Sequence, residues 1–132
     1  AEQEMKIAQG FLAQEIKILQ EISEKKDIQA YRLAGALEGQ KKACLEEPQN
    51  IGLWQKYALE QKEKYLNLQK QTDDQQQKVN ECKEKVIQCR IQVEKYQKLK
   101  NKKLKAYQVE ELRMEQKVID EIAKGSKGGR LS

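Results

Sequence analysis

Cys44, Cys82 and Cys89 are the only thiols in a chain of 132 residues that contains no histidine. Without histidine there is no Ser-His-Asp or Cys-His nucleophile system, no HExxH zinc site and no mixed Cys/His zinc finger. Cys82 and Cys89 stand one heptad apart on a single helix face, about 10 Å by helical rise, too far for a disulfide and without CxxC spacing. They read as buried small hydrophobes, and so does Cys44, expected beside Lys56 and about 40 Å from the other two. Three unpaired thiols fit a reducing compartment. The carboxylates offer no acid/base pair: Asp73-Asp74 lies in the Gln-rich stretch from Gln69 to Gln77, and Asp120-Glu121 is near a helix end. None of the seven glycines forms GxxxxGK or GxGxxG. The expectation is a protein that is not an enzyme and carries no cofactor or metal.

Two other groups have binding chemistry. Lys95, Lys98, Lys100, Lys102, Lys103 and Lys105 form a cationic run flanked by Tyr96 and Tyr107. Such a run suits nucleic acid, an acidic protein surface, or simply a solvated helix face diluted by Glu94, Glu110 and Glu111. Trp54, the only tryptophan, lies with Leu53, Tyr57 and Tyr65 in one stretch. Packing explains part of that cluster. Yet a narrow two-helix rod buries one stripe, so Trp54 and Tyr57 cannot both turn fully inward, and aromatic surface left exposed makes a protein-binding anchor.

The elements that position these groups follow from composition. Charged residues make up 36%, hydrophobic ones 38% and aromatic ones 5%, with 26 Lys and Arg against 21 Asp and Glu, a net charge of +5. That leaves too little apolar volume for a globular core but enough for a seam between long helices, which needs about two apolar residues in seven. No apolar run approaches the roughly 18 residues of a membrane span, and no signal-peptide pattern opens the chain, so a cytosolic protein is expected. Ala1 stands inside a helical pattern, which leads us to expect a further stretch upstream.

Pro48, the only proline, sits in Glu46-Glu47-Pro48-Gln49-Asn50-Ile51-Gly52, the one interior place where helical spacing breaks. The fold class predicted is all-α: two long helices, about 1–46 and 53–124, joined by a turn at 47–52 into an antiparallel coiled-coil hairpin, with a flexible basic tail at 125–132. Asn50 is placed to cap the second helix and Gly52 to supply backbone freedom. Before the turn, Met5, Ala8, Leu12, Leu19, Ile22, Leu33, Ala36 and Ala43 keep three-and-four spacing, with Glu15, Lys26, Gln29 and Gln40 interrupting. Phe11, Ile16, Ile18, Tyr31, Leu37 and Leu45 widen the stripe as if for a second neighbour. Gly35 and Gly39 mark either a close approach of helices or a hinge, each costing about 1 kcal/mol relative to Ala. After the turn, heptad phase runs from Tyr65 through Leu68, Thr72, Gln75, Val79, Cys82, Val86, Cys89 and Val93 to Tyr96, slips near Lys100, and resumes at Leu104. A turn centred near Gln49 would pair residues whose numbers sum to roughly a hundred. The first helix would then be used up in the high nineties, leaving about 25 helical residues as an overhang near 35 Å long.

This order of features resembles the flagellar export protein FliJ family and its type III secretion counterparts. The residues that carry the likeness are Trp54-x-x-Tyr57 after a short turn, a long polar helix, then Val93-Glu94-Lys95-Tyr96-Gln97-Lys98-Leu99 and Lys102-Lys103-Leu104. They lead into Glu110-Glu111-Leu112-Arg113-Met114-Glu115-Gln116-Lys117-Val118-Ile119-Asp120-Glu121-Ile122-Ala123. The resemblance implies an adaptor similar to a rotary ATPase central stalk. Its open end would enter the pore of a hexameric export ATPase through Leu112, Arg113, Gln116, Lys117 and Ile119. Its hairpin end would meet the cytoplasmic domain of the membrane export gate through Trp54 and Tyr57, with Tyr31 and Tyr65. The same resemblance implies escort of export chaperones and a cytoplasmic protein held at the membrane through partners, without inserting into it. Two readings compete with it: a basic helical arm binding nucleic acid, of the kind seryl-tRNA synthetases use to grip tRNA, and a structural rod dimerising through the Val79 to Tyr96 seam.

Overall fold

The structure is a computed structural model that describes the backbone of residues 1–131 and the side chains of residues 1–125. It is all-α. Helix α1 spans Glu2–Glu46, a single 3-10 turn Pro48–Asn50, and helix α2 Ile51–Leu131, with α1 and α2 packed antiparallel as a hairpin. Helix α2 continues past the end expected near 124 as far as Leu131, so the tail expected to be flexible from 125 on continues the helix, and its side chains from residue 126 lie outside the described ones. No helix of the described residues is long and apolar enough to cross a membrane.

Both helices form from Ala, Leu, Gln, Glu and Lys, which lose little side-chain freedom in a helix. Glu2 and Glu4 in the first turn of α1 suit its dipole. Pro48 ends α1, because its ring disfavours helical geometry at the residue before it, and Glu47 duly turns to φ −136°, ψ 67°. The Glu47 N–H still reaches the Ala43 carbonyl at 2.9 Å, and the Asn50 N–H reaches the Glu47 carbonyl at 3.0 Å. Asn50 uses its side-chain amide on Glu47, donating to Oε2 at 2.8 Å. No described residue, Gly52 included, has positive φ, so the reversal rests on Pro48 and the 3-10 turn rather than on glycine.

The chain divides into two compact units, Ala1–Cys89 and Arg90–Ser132. In the first, the α1 seam is the expected one: all twelve positions from Met5 to Ala43, the polar four among them, are buried or half-buried. On α2 the same spacing starts earlier than the sequence suggested, at Ile51, Trp54, Ala58 and Gln61. The buried apolar residues are small: Ala36, Ala43, Ala58, Val79 and Val86. Phe11, Tyr31, Leu37 and Leu45 remain exposed, so the widened stripe has no second neighbour within this unit, whereas Ile16 and Ile18 are half-buried.

Polar residues complete the seam. Gln29 Nε2 donates to Gln61 Oε1 at 2.7 Å and to the Gln61 carbonyl at 3.0 Å. Gln75 Nε2 donates to the Glu15 carbonyl at 3.0 Å and to the Glu15 carboxylate. Lys26 Nζ lies 5.9 Å from the centre of the Tyr65 ring. Every buried side-chain nitrogen and oxygen among the described residues has a hydrogen-bond partner.

These pairs correct the expected register. Gln29 with Gln61 and Glu15 with Gln75 both sum to 90, not to a hundred. The cause is local: the chain reverses at Glu47, and the extended Glu47 and the 3-10 turn advance more per residue than the 1.5 Å of an α-helix. Each α2 residue therefore lies opposite a lower-numbered partner than a symmetric turn would give. Consequently α1 is used up at Cys89, where the first unit ends, rather than in the high nineties. Cys44 is exposed at the turn instead of buried beside Lys56, because it falls one residue past the buried seam position Ala43, on the outer side of α1; Cys82 and Cys89 are half-buried seam residues. The seam phase read as far as Tyr96 likewise loses its cover, and Tyr96 is 65% exposed.

Replacing Gln29 alone by Leu should destabilise the hairpin by about 1–3 kcal/mol in urea unfolding, because Gln61 is left buried without a partner. The double variant Gln29→Leu/Gln61→Leu should recover most of that loss. A double variant no better than the single one would show that the pair does not act as a unit.

Candidate functional site

Two exposed surfaces combine apolar side chains with charge, one in each unit. The first forms at the closed end of the hairpin. Trp54 falls on the seam in the first turn of α2, and its ring lies against Gly39 of α1. A Cβ on Gly39 would stand 2.6 Å from Trp54 Cε3 and Cη2, and closer still to Cζ3. Only glycine leaves room for the ring. Gly35, one turn away, has nothing within 4 Å of such a Cβ, so close approach explains one of the two glycines and not the other.

With Trp54 turned inward, Tyr57 cannot follow. It packs edge-on against Trp54, ring centres 6.0 Å apart and planes at 79°, and stays 43% exposed. Leu53 is more exposed still. Glu47, Asn50, Leu53, Trp54 and Tyr57 line an open apolar groove with one carboxylate at its edge. The Asn50–Glu47 hydrogen bond fixes that edge.

Of the four residues assigned to this end, the fold brings Trp54 and Tyr57 together and leaves Tyr31 and Tyr65 elsewhere. Tyr31, 83% exposed, stands on the outer face of α1 about 20 Å along the helix from the turn. Tyr65 is a half-buried seam residue under Lys26. Leu53, Asn50 and Glu47 belong to the groove and were not singled out as site residues. The three-and-four spacing of Ile51, Trp54 and Ala58 was the available signal: it puts Trp54 on the seam and therefore Leu53 and Tyr57 beside it.

The second surface is on the unit Arg90–Ser132. Leu112, Arg113, Gln116, Lys117 and Ile119 are all exposed. Arg113 pairs with Glu110 at 3.2 Å, and the Gln116 amide donates to Asp120 at 3.1 Å, both along the helix. Leu112 and Ile119 are joined by Met114 and Val118, which sequence reading left out. Met114, Val118 and Ile119 floor a shallow groove edged by Glu111 and Glu115. The lysine run is also exposed, with no acidic residue between Lys95 and Val109. Its field is thus less diluted at its centre than the nearby glutamates imply.

Each of the two surfaces offers desolvatable apolar area beside fixed charge, the composition of a protein-binding hot spot. Comparison with known proteins finds no matching family model, no matching curated protein and no matching solved structure.

The seat of Trp54 is testable by a pair of glycine substitutions. Gly35→Ala should stabilise the hairpin by up to about 1 kcal/mol through helix propensity alone. Gly39→Ala should not, because displacing the Trp54 ring costs about 1–3 kcal/mol, and the tryptophan emission should shift to the red as the ring leaves its seat. Equal stabilisation by both substitutions would contradict the packing described.

Proposed function

We propose that this protein is a non-enzymatic adaptor of a flagellar-type III export apparatus, placed as a central stalk between a hexameric export ATPase and the cytoplasmic domain of the membrane export gate. The observation that carries the reading is the aromatic pair at the closed end of an antiparallel helical hairpin, Trp54 half-buried against α1 and Tyr57 stacked edge-on beside it and 43% exposed. An exposed aromatic edge in an open groove is well suited to a protein partner and poorly suited to a small ligand. Leu112 and Ile119, both exposed on the second unit, supply the second binding surface that a two-partner adaptor requires.

In this reading the hairpin end meets the export gate through Trp54 and Tyr57, joined by Leu53. The face with Leu112, Arg113, Gln116, Lys117 and Ile119 meets the ATPase ring. The protein also escorts export chaperones, works in the cytoplasm, and reaches the membrane only through its partners. The resemblance in residue order over most of the chain supports this assignment, and so does the hairpin itself, since a stiff seam transmits position between its ends.

A second reading rests on the acid-free run from Lys95 to Val109, which suits a nucleic-acid backbone. It predicts RNA binding that falls steeply as salt rises; no binding at low salt would dispose of it.

For the export reading, adding the full chain to its cognate export ATPase should raise the rate of ATP hydrolysis and favour assembly of the ring; no effect on either would overturn the stalk assignment. Trp54→Ala/Tyr57→Ala should keep the helical circular dichroism signal and weaken binding to the gate domain by at least tenfold. Unchanged affinity would remove the pair from the interface.

A further inference from the structure

The groove on the second unit has an apolar floor of Met114, Val118 and Ile119 between the carboxylates of Glu111 and Glu115. A matching occupant presents an aromatic or aliphatic side chain with cations on both sides of it. The lysine-rich stretch of this chain carries that pattern, with Tyr96, 65% exposed, as its aromatic member among Lys95, Lys98 and Lys100. It cannot reach the groove of its own copy, because Tyr96 and Met114 lie on one continuous helix, about 27 Å apart along its axis. A second copy can supply it.

At 100° per residue, Tyr96, Lys100, Lys103 and Tyr107 share a helix face with Glu111, Met114 and Val118. The face is self-complementary when laid antiparallel on itself with Tyr107 at the two-fold axis. Tyr96 of one copy then meets Val118 of the other, Lys100 meets Glu115, and Lys103 meets Glu110. Each pairing occurs twice, as an isologous interface requires. A parallel arrangement would instead set Lys100 and Lys103 against the same two lysines of the other copy, which disfavours that alternative. The apolar members are open to receive the partner: Tyr107 is 66%, Met114 61% and Val118 53% exposed.

We infer that the face from Tyr96 to Val118 is a docking surface for a second copy of this chain, bound antiparallel, with Lys100 and Lys103 of each copy on Glu115 and Glu110 of the other. The inference does not depend on the export reading. The dimer uses side chains next to those assigned to the ATPase ring, so self-association and ring binding exclude one another.

The test is sedimentation of the full chain at low salt, from 1 to about 200 µM. A monomer–dimer equilibrium is expected, within the range of weak interfaces. Lys100→Glu/Lys103→Glu and Glu110→Lys/Glu115→Lys should each lower association by at least tenfold while the helical circular dichroism signal is kept. Mixing the two variants should restore it, because every pairing is then complementary again. With the native cysteines replaced by Ser, nitroxides at Gln108 should approach to about 20 Å across the axis, while those at Lys124 stand about 50 Å apart. A chain that stays monomeric throughout, a dimer indifferent to both charge reversals, or short distances at both labelled sites would each overturn the inference. No ATPase enters the experiment, so its failure leaves the export reading intact, and a chain without effect on the ATPase can still dimerise.

Discussion

The hydrogen bonds between Gln29 and Gln61 and between Gln75 and Glu15 decide where the two helices of the hairpin stop sliding. The buried apolar residues of the seam are three alanines and two valines, which pack almost as well after a shift of one heptad. The glutamines do not tolerate that shift. Each would be buried with its amide unpaired, at about 1–3 kcal/mol apiece. Here, as in coiled coils that carry a polar residue at a core position, polar groups contribute specificity that apolar burial cannot. From that register the rest follows: Gly39 comes to lie beneath Trp54, Trp54 turns inward, and Tyr57 and Leu53 are left facing solvent.

The helices, the single bend and its position were legible in the residues, because proline at 48 and an unbroken three-and-four spacing on α1 leave few alternatives. Register was not. It depends on how far the chain advances through Glu47 and the 3-10 turn, a backbone detail that side-chain periodicity does not encode. The misplaced register explains why Tyr96 is uncovered, whereas Cys44 is exposed because it stands one residue off the seam position Ala43. At the candidate sites, Trp54 and Tyr57 were recognisable as a pair three residues apart, whereas grouping Tyr31 and Tyr65 with them relied on residue type. Tyr65 keeps the heptad phase and is a seam residue, and Tyr31 lies on the outer face of α1. Met114 and Val118 stand four residues apart on one helix face, and it is their exposure beside Ile119 in a shared groove, not their residue type, that marks them.

A seam this thin has a functional side. Small core residues keep the helices close and leave large apolar side chains outside, where Leu53 and Tyr57 flank a groove at the closed end; in the second unit, past the end of the seam, Met114, Val118 and Ile119 floor another. Stability and binding are thereby separated: register and packing are set by Ala, Val and Gln, while the larger side chains remain available to partners. The proposed adaptor role draws on that division, since a scaffold that consumed its aromatic residues in its own core would have little left with which to hold an ATPase or a gate. The lysine run adds a charged surface whose proposed occupants are a second copy or, in the alternative reading, a nucleic acid.

The register is the claim on which the site geometry hangs, and pulsed dipolar spectroscopy measures it most directly. With the native cysteines replaced by Ser, nitroxides on the exposed residues Gln20 and Lys70 should stand about 20 Å apart, and those on Gln20 and Asn80 measurably farther. A Gln20–Asn80 distance shorter than the Gln20–Lys70 distance would contradict the register. A Gln20–Lys70 distance near 75 Å, the span of 50 helical residues, would contradict the hairpin itself.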